Sequence, residues 1–130
     1  MDKYRGEMLY EAIMIDTFFK KIGPKLFQAP GDERTALIAE IKDTIFPSIT
    51  ARLEKHLPAD KKFIAGDSMT IHDFTIGGGL INTLENPNTK DPEMWAECKA
   101  ALPARVKKYV DDCKESLKEH LDKRPQTCSL

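Results

Sequence analysis

The chain has no excess of charge of either sign, which argues against nucleic-acid binding. It carries 20 basic and 21 acidic residues, for a formal net charge of -1 at pH 7. Electrostatic binding to nucleic acid would need a basic stripe, which the sequence lacks. It also lacks any long apolar run, so we predict no transmembrane helix and no membrane insertion.

Cysteine is scarce and unpaired. The three cysteines are Cys98, Cys113 and Cys128, and no two of them form a Cys-x-x-Cys pair. An odd number without metal-ligand spacing predicts reduced thiols. The start of the chain, Asp2 to Arg5, has none of the features of a secretory signal. We therefore expect a cytoplasmic protein.

The sequence offers neither a metal site nor a catalytic constellation. The three histidines, His56, His72 and His120, lie on separate predicted helices. A zinc site needs three or four converging ligands, and no His or Cys stands at that spacing. No Gly-x-Ser-x-Gly motif is present either. We predict no metal and no catalytic residue.

Alternating apolar residues, the pattern of a half-buried strand, are absent throughout. Hydrophobic residues make up 41% of the 130 positions, enough for the core of one domain. They recur at helical spacing, so we predict an all-α fold with a single domain over 1–130. Loop composition marks 86–92, and the tail from about residue 125 is expected to fray.

The first predicted helix, Glu7–Phe19, is apolar around more than half of its circumference. One stripe and its neighbouring faces contain Met8, Ala12, Ile15, Phe19, Leu9, Ile13 and Phe18. Such a helix must be covered on several sides. We expect Phe18 to point outward, and Gly23-Pro24 to end the helix.

The second predicted helix starts after Pro30-Gly31, with Asp32 as its cap, and ends near His56. Pro47 lies inside it. Because proline lacks an amide donor and crowds the carbonyl four residues back, we expect a kink there.

A capping box predicts the start of a third helix. Thr70 is a good N-cap, and Asp73 stands three residues on, where its carboxylate can reach back to the amide of Thr70. Met69 and Phe74 have the spacing of a hydrophobic staple. Three glycines at 77–79 follow inside this helix, at about 1 kcal/mol each against alanine, so we expect close packing there.

The run FIAGDSMTIHDF resembles the start of the central helix in the C-terminal, all-helical domain of cytosolic glutathione transferases. That family has an apolar pair, a Gly-Asp turn and a Thr-Ile-Ala-Asp-Phe helix start. The matching residues here are Phe63, Ile64, Gly66, Asp67, Thr70, Ile71, Asp73 and Phe74, with His72 in place of a small residue. TIFPSITARLEKHL upstream, and ALPARVKKYV and LKEHLDKRP downstream, extend the resemblance over most of the chain. Sigma-like members are the most similar.

This resemblance implies a helical bundle, and it implies that two domains have separate roles. In these enzymes a thioredoxin-like N-terminal domain binds glutathione and activates its thiol. The helical domain supplies most of the pocket for the hydrophobic electrophile and part of the dimer interface. The chain begins near the place of the linker, so we expect no cofactor in this chain. Glutathione is expected as a ligand only if the N-terminal domain is present.

The resemblance also implies candidate site residues. In sigma-like members an acid early in the first helix contacts the glutathione of the other subunit, and Glu11 is the candidate here, with Asp16 next. The alternative is an exposed helix carboxylate. Pocket lining or partner contacts would come from the same helix, or these residues are plain core: Met8, Ile15, Phe18 and Phe19.

Two main hypotheses for function follow. The chain is a non-catalytic docking module that contacts a protein partner, or forms a homodimer, through its first helix. Alternatively, it is the C-terminal half of a transferase that conjugates glutathione to electrophiles. A small helical domain unrelated to transferases is a third interpretation.

Overall fold

The structure is a computed structural model that describes residues 2–123. Its helices follow the helical spacing of apolar residues in the sequence. The described chain contains helices and no strand, which confirms the all-α prediction. The predicted fraying from about residue 125 lies outside the described residues. The α-helices are α1 (Asp2–Leu9), α2 (Gly23–Gln28), α3 (Gly31–Glu40), α4 (Phe46–His56), α5 (Ile71–Leu84), α6 (Pro92–Ala100), α7 (Ala104–Ser116) and α8 (Lys118–Asp122). Two π-helical segments are π1 (Tyr10–Ile22) and π2 (Ile41–Ile45).

Helix α5 is the centre of the bundle. It packs against α7, π1, α6 and α1. Its inward side chains Ile76 and Leu80 are fully buried. The helix that the capping motif predicts therefore packs against more elements than any other.

Close packing accounts for one of the three glycines in α5. A Cβ on Gly77 would lie 2.5 Å from Cys113 Sγ, and one on Gly79 would lie 2.8 Å from Met14 Cε. A Cβ on Gly78 would meet only Leu117 Cδ1, at 3.9 Å. The expected close approach is confirmed at Gly77, whereas the neighbour of Gly79 is the flexible end of Met14, which can move, and Gly78 has no close neighbour.

The first helix does not end at Gly23-Pro24. Helices α1, π1 and α2 follow one another without a break up to Gln28. The amide of Gly23 donates to Phe18 O, five residues back, so the π register reaches the start of α2. Pro24 follows at once, so its missing N–H falls at the change from the π to the α register. The predicted stop is therefore wrong.

The π-helical winding also changes which residues of this helix are buried. Leu9, Ile13, Phe18 and Ile22 form the inward ridge, spaced four or five residues apart. Phe18 is only 9% exposed, so its predicted outward position is wrong. A spacing of 3.6 residues per turn does not hold where the hydrogen bonds run over five residues.

The second predicted helix is three consecutive segments, α3, π2 and α4, that end at His56 as expected. Its N-cap is Pro30, so the predicted cap Asp32 is wrong; Asp32 lies in the first turn. Phe46 donates its amide to Ile41 O, five residues back, immediately before Pro47. The chain thus accommodates Pro47 by a change of helical register.

Candidate functional site

A buried carboxylate ties the start of α5 to its surroundings. Asp73 is fully buried. Its Oδ1 accepts from the amide of Ile64 at 2.9 Å and from the hydroxyl of Tyr109 at 3.2 Å. Its Oδ2 accepts from the amide and the hydroxyl of Thr70, at 2.9 and 2.8 Å. Both halves of a capping box are present between Thr70 and Asp73. These four hydrogen bonds join the start of α5 to Ile64 and to Tyr109 on α7.

The thiol and phenol groups near this carboxylate are neutral. Burial raises the pKa of Cys113 to about 12, and burial also raises the pKa of Tyr109, which is hydrogen-bonded to the Cys113 thiol. On α6, burial raises the pKa of Cys98 to about 11. Thiolates are the reactive form of cysteine, so neither thiol is a nucleophile at neutral pH.

The two residues of the predicted staple have different surroundings. Met69 is partly buried against the core. Phe74 is 45% exposed, and its ring meets the His120 ring edge-to-face, with centroids 6.0 Å apart. This ring contact connects the first turn of α5 to α8.

The predicted glutathione-contacting acids lie on the outer side of π1. Glu11 is exposed. Asp16 forms an exposed ion pair with Lys20 at 2.7 Å, and the hydrogen bond from Lys20 lowers the pKa of the Asp16 carboxyl. Such a surface pair contributes little to stability. Both acids are accessible, and the role of Glu11 stays a prediction.

The predicted pocket or partner residues separate into two groups. Met8 and Phe19 are exposed, by 43% and 60%. Ile15 is half-buried, and Phe18 belongs to the core. Met8 and Phe19 therefore remain candidates for a contact with a partner, whereas Phe18 can only line an internal surface.

An apolar groove of about 480 Å³ opens between π1, α2, α5 and α6. We name it the Trp95 groove, after the one tryptophan of the chain. Its lining is almost entirely hydrophobic and consists of Met14, Phe18, Phe19, Ile22, Gly23, Pro24, Leu26, Phe27, Gly79, Asn82, Thr83 and Trp95.

A second apolar groove, of about 340 Å³, continues from the first toward α8. We name it the His120 groove. It is lined by Tyr10, Met14, Phe19, Phe74, Thr75, Gly78, Gly79, Asn82, Leu117, His120 and Leu121. Four residues, Met14, Phe19, Gly79 and Asn82, belong to both grooves. At Gly78 a Cβ would meet only Leu117 Cδ1, at 3.9 Å, so the missing side chain leaves room above α5 at this position.

The opposite side of π1 faces a polar cleft of about 560 Å³, which it shares with α4. Asp16, Lys21 and Arg52 line this cleft. Charges of both signs are mixed there, so the cleft has no clear preference for a charged ligand.

The family assignment comes from comparison with known proteins. The family model described as glutathione S-transferase, C-terminal domain, matches residues 16–124. The chain belongs to this family. No curated protein and no solved structure is detectably similar to it.

In this glutathione S-transferase C-terminal domain, the described residues contain no group of three or more potential metal ligands. Over the same residues, 2–123, none of the helices combines the length and apolarity needed to cross a membrane.

Sequence reasoning missed several residues that line the grooves of this glutathione S-transferase C-terminal domain. Tyr10, Met14, Phe27 and Trp95 were not singled out. The glycine run was a usable signal, because Gly78 and Gly79 both line the His120 groove. Phe27 lies beyond the predicted helix end at Gly23-Pro24, so its position over the groove could not be anticipated.

Proposed function

We propose that the chain is a protein-docking module, non-catalytic by itself, whose first helix contacts a protein partner or a second copy. The observation that carries this proposal is the exposure of Tyr4 and Met8, by 76% and 43%. These two residues lie one turn apart in α1, so they share a face.

That face is directed away from the bundle. Gly6 abuts α5 so closely that a Cβ on it would lie 2.3 Å from His72 Cδ2. Tyr4 and Met8 are each two residues from Gly6, which places them about 160° around the helix from that contact. Helix α1 thus packs on α5 with one side and presents an aromatic ring and a thioether on the other.

Further apolar side chains are exposed in the first turn of α5, the turn that Gly6 touches. Ile71 is 68% exposed and Phe74 is 45% exposed. Exposed large apolar side chains are typical of an interaction surface.

Association of the chain tests the proposal. By sedimentation at rising concentration we expect a dimer, or a stable complex with a partner. Met8→Glu should abolish it while helical circular dichroism is unchanged, because the side chain is exposed and contributes little to the core. Phe27→Glu, at a position 59% exposed on α2, is the matched control and should leave association intact. A chain that stays monomeric at high concentration, with no partner recovered, contradicts the proposal.

The second candidate is the C-terminal half of a glutathione transferase, and the His120 groove favours it. This groove lies beside the first helix and has the apolar lining that a hydrophobic electrophile needs. Without a group that binds glutathione and lowers its thiol pKa, the chain alone should not conjugate it to 1-chloro-2,4-dinitrobenzene. Turnover above the uncatalysed rate would establish the enzyme instead of the docking module. The cytoplasmic location stays a prediction for either function.

A further inference from the structure

The outward face of the first helix, formed by Tyr4, Glu7, Met8 and Glu11, carries acidic as well as apolar side chains. On a helix with 3.6 residues per turn, Glu7 lies about 60° from Tyr4 on one side and Met8 about 40° on the other. Glu11 follows Glu7 by four residues, the spacing of neighbours on a helix surface. Both glutamates are exposed, so two carboxylates lie beside the exposed apolar pair.

These two carboxylates are not neutralised by the described part of the chain. Neither glutamate forms an ion pair with a residue that the structure describes. Lys20, whose charge reaches Glu11, is held by Asp16 at 2.7 Å. Arg5 donates to the carbonyl oxygen of the buried Ile64, at 3.5 Å. The outward face therefore keeps its negative charge.

Like charges make a second copy of the chain a poor occupant of this face. In a two-fold dimer the same patch of both copies forms the interface. The glutamates of both copies would then come together around Tyr4 and Met8, and like charges brought together at an interface weaken binding. Complementary charge instead requires a partner that carries cations of its own.

We propose that the outward face of the first helix binds a basic amphipathic segment of a protein partner. Apolar side chains of the segment cover Tyr4 and Met8, and its lysines or arginines pair with Glu7 and Glu11. An amphipathic helix fits, because its apolar stripe and basic flanks repeat at the same spacing as these four side chains. This inference rests on the proposed docking function and names the class of partner for the same helix.

Three labelled peptides test the chemistry of the partner on the full-length chain. Two designed amphipathic helices share the same leucine stripe, with lysine at the polar positions of one and glutamate at those of the other. The third has the composition of the lysine peptide in scrambled order, without the stripe. By fluorescence anisotropy we expect saturable binding of the lysine peptide, weaker at higher salt because the ion pairs lie at the surface. The other two peptides should bind at least about tenfold more weakly. Equal affinity for the lysine and glutamate peptides, or no binding of either, overturns the inference.

Variants at exposed positions locate the contact. Glu7→Gln and Glu11→Gln should each weaken binding of the lysine peptide about threefold, whereas the matched control Glu93→Gln, on α6, should leave it unchanged. Met8→Gln adds no charge and should weaken binding about fivefold, because it removes apolar contact. An affinity for the lysine peptide that neither Glu7→Gln nor Glu11→Gln changes overturns the inference.

Sedimentation of the chain alone separates this inference from the docking proposal. A homodimer that Met8→Gln dissociates would support docking through the first helix and overturn the basic partner. Equal binding of the lysine and glutamate peptides that Met8→Gln abolishes would have the same meaning. A monomer that binds the lysine peptide through Glu7 and Glu11 supports both proposals. A monomer that binds none of the peptides and recovers no partner contradicts both.

Discussion

Two buried polar groups of this domain have opposite surroundings. The carboxylate of Asp73 accepts four hydrogen bonds from the chain itself. The indole N–H of Trp95 is equally buried and has no partner within the described residues. A polar group that the fold satisfies stabilises the fold, whereas one that is buried and left unpaired has a cost that the surrounding packing must offset.

Helix α5 is close to both places. Its first turn contains Asp73, and farther along it Gly79 and Thr83 line the Trp95 groove. One end of the helix therefore fixes the bundle, while the next two turns leave an open surface. Substitutions in the first turn of α5 and farther along the helix should therefore change the free energy of unfolding by different amounts, and in one case in the opposite direction.

The largest effect is expected at Asp73. Asp73→Ala removes the acceptor from the amides of Ile64 and Thr70 and from the hydroxyl of Tyr109, and each donor left unpaired costs about 1–3 kcal/mol. We expect the free energy of unfolding in urea to fall by about 3 kcal/mol or more. Thr70→Ala should cost about 1 kcal/mol, as for an ordinary cap.

The double variant sharpens this prediction. Thr70 and Asp73 bond to each other, so the losses from Thr70→Ala and Asp73→Ala should be strongly non-additive. A double variant that loses the full sum would mean that the two residues act independently. Ile71→Ala, at an exposed position of the same turn, is the control and should change stability by less than about 0.5 kcal/mol.

A smaller effect, with a change of sign, is expected along the glycines. Gly77→Ala forces a Cβ to within 2.5 Å of Cys113 Sγ, so we expect a loss of about 1–3 kcal/mol from overpacking. Gly78→Ala meets only Leu117 Cδ1 at 3.9 Å and should gain up to about 1 kcal/mol from helix propensity. Thermal unfolding of both variants checks the order.

The neighbour of Gly77 provides the control. Combining Gly77→Ala with Cys113→Ala should recover part of the loss, because the added methyl group then occupies the space of the removed sulfur. If the two losses simply add, contact with Cys113 is not the reason for glycine at this position.

The start of α5 could be predicted because capping is local. Thr70 and Asp73 bond within one turn, and their roles follow from residue type and spacing alone. The all-α class follows in the same way from helical periodicity. Neither of these two predictions depends on residues that are distant in the sequence.

The first helix could not be predicted in the same way, because its winding departs from 3.6 residues per turn. The hydrogen bond from the amide of Gly23 to Phe18 O spans five residues, and such π turns have no simple sequence signature. Phe18 therefore turned inward, and Pro24 did not end the helix. The grooves were unpredictable for a further reason, since their walls come from three or more elements that only tertiary packing brings together.

The smallest effect is expected at Trp95, and it is best measured against Tyr109. Tyr109→Phe deletes a hydroxyl that donates to Asp73 at 3.2 Å, so we expect a loss of about 1 kcal/mol. Trp95→Phe deletes a donor that has no partner, and the relief of an unpaired N–H offsets the packing lost with the larger ring. The net change in unfolding free energy should stay below about 1 kcal/mol. A loss of about 3 kcal/mol or more at Trp95 would mean that the packing of the larger ring outweighs the relief of its unpaired N–H.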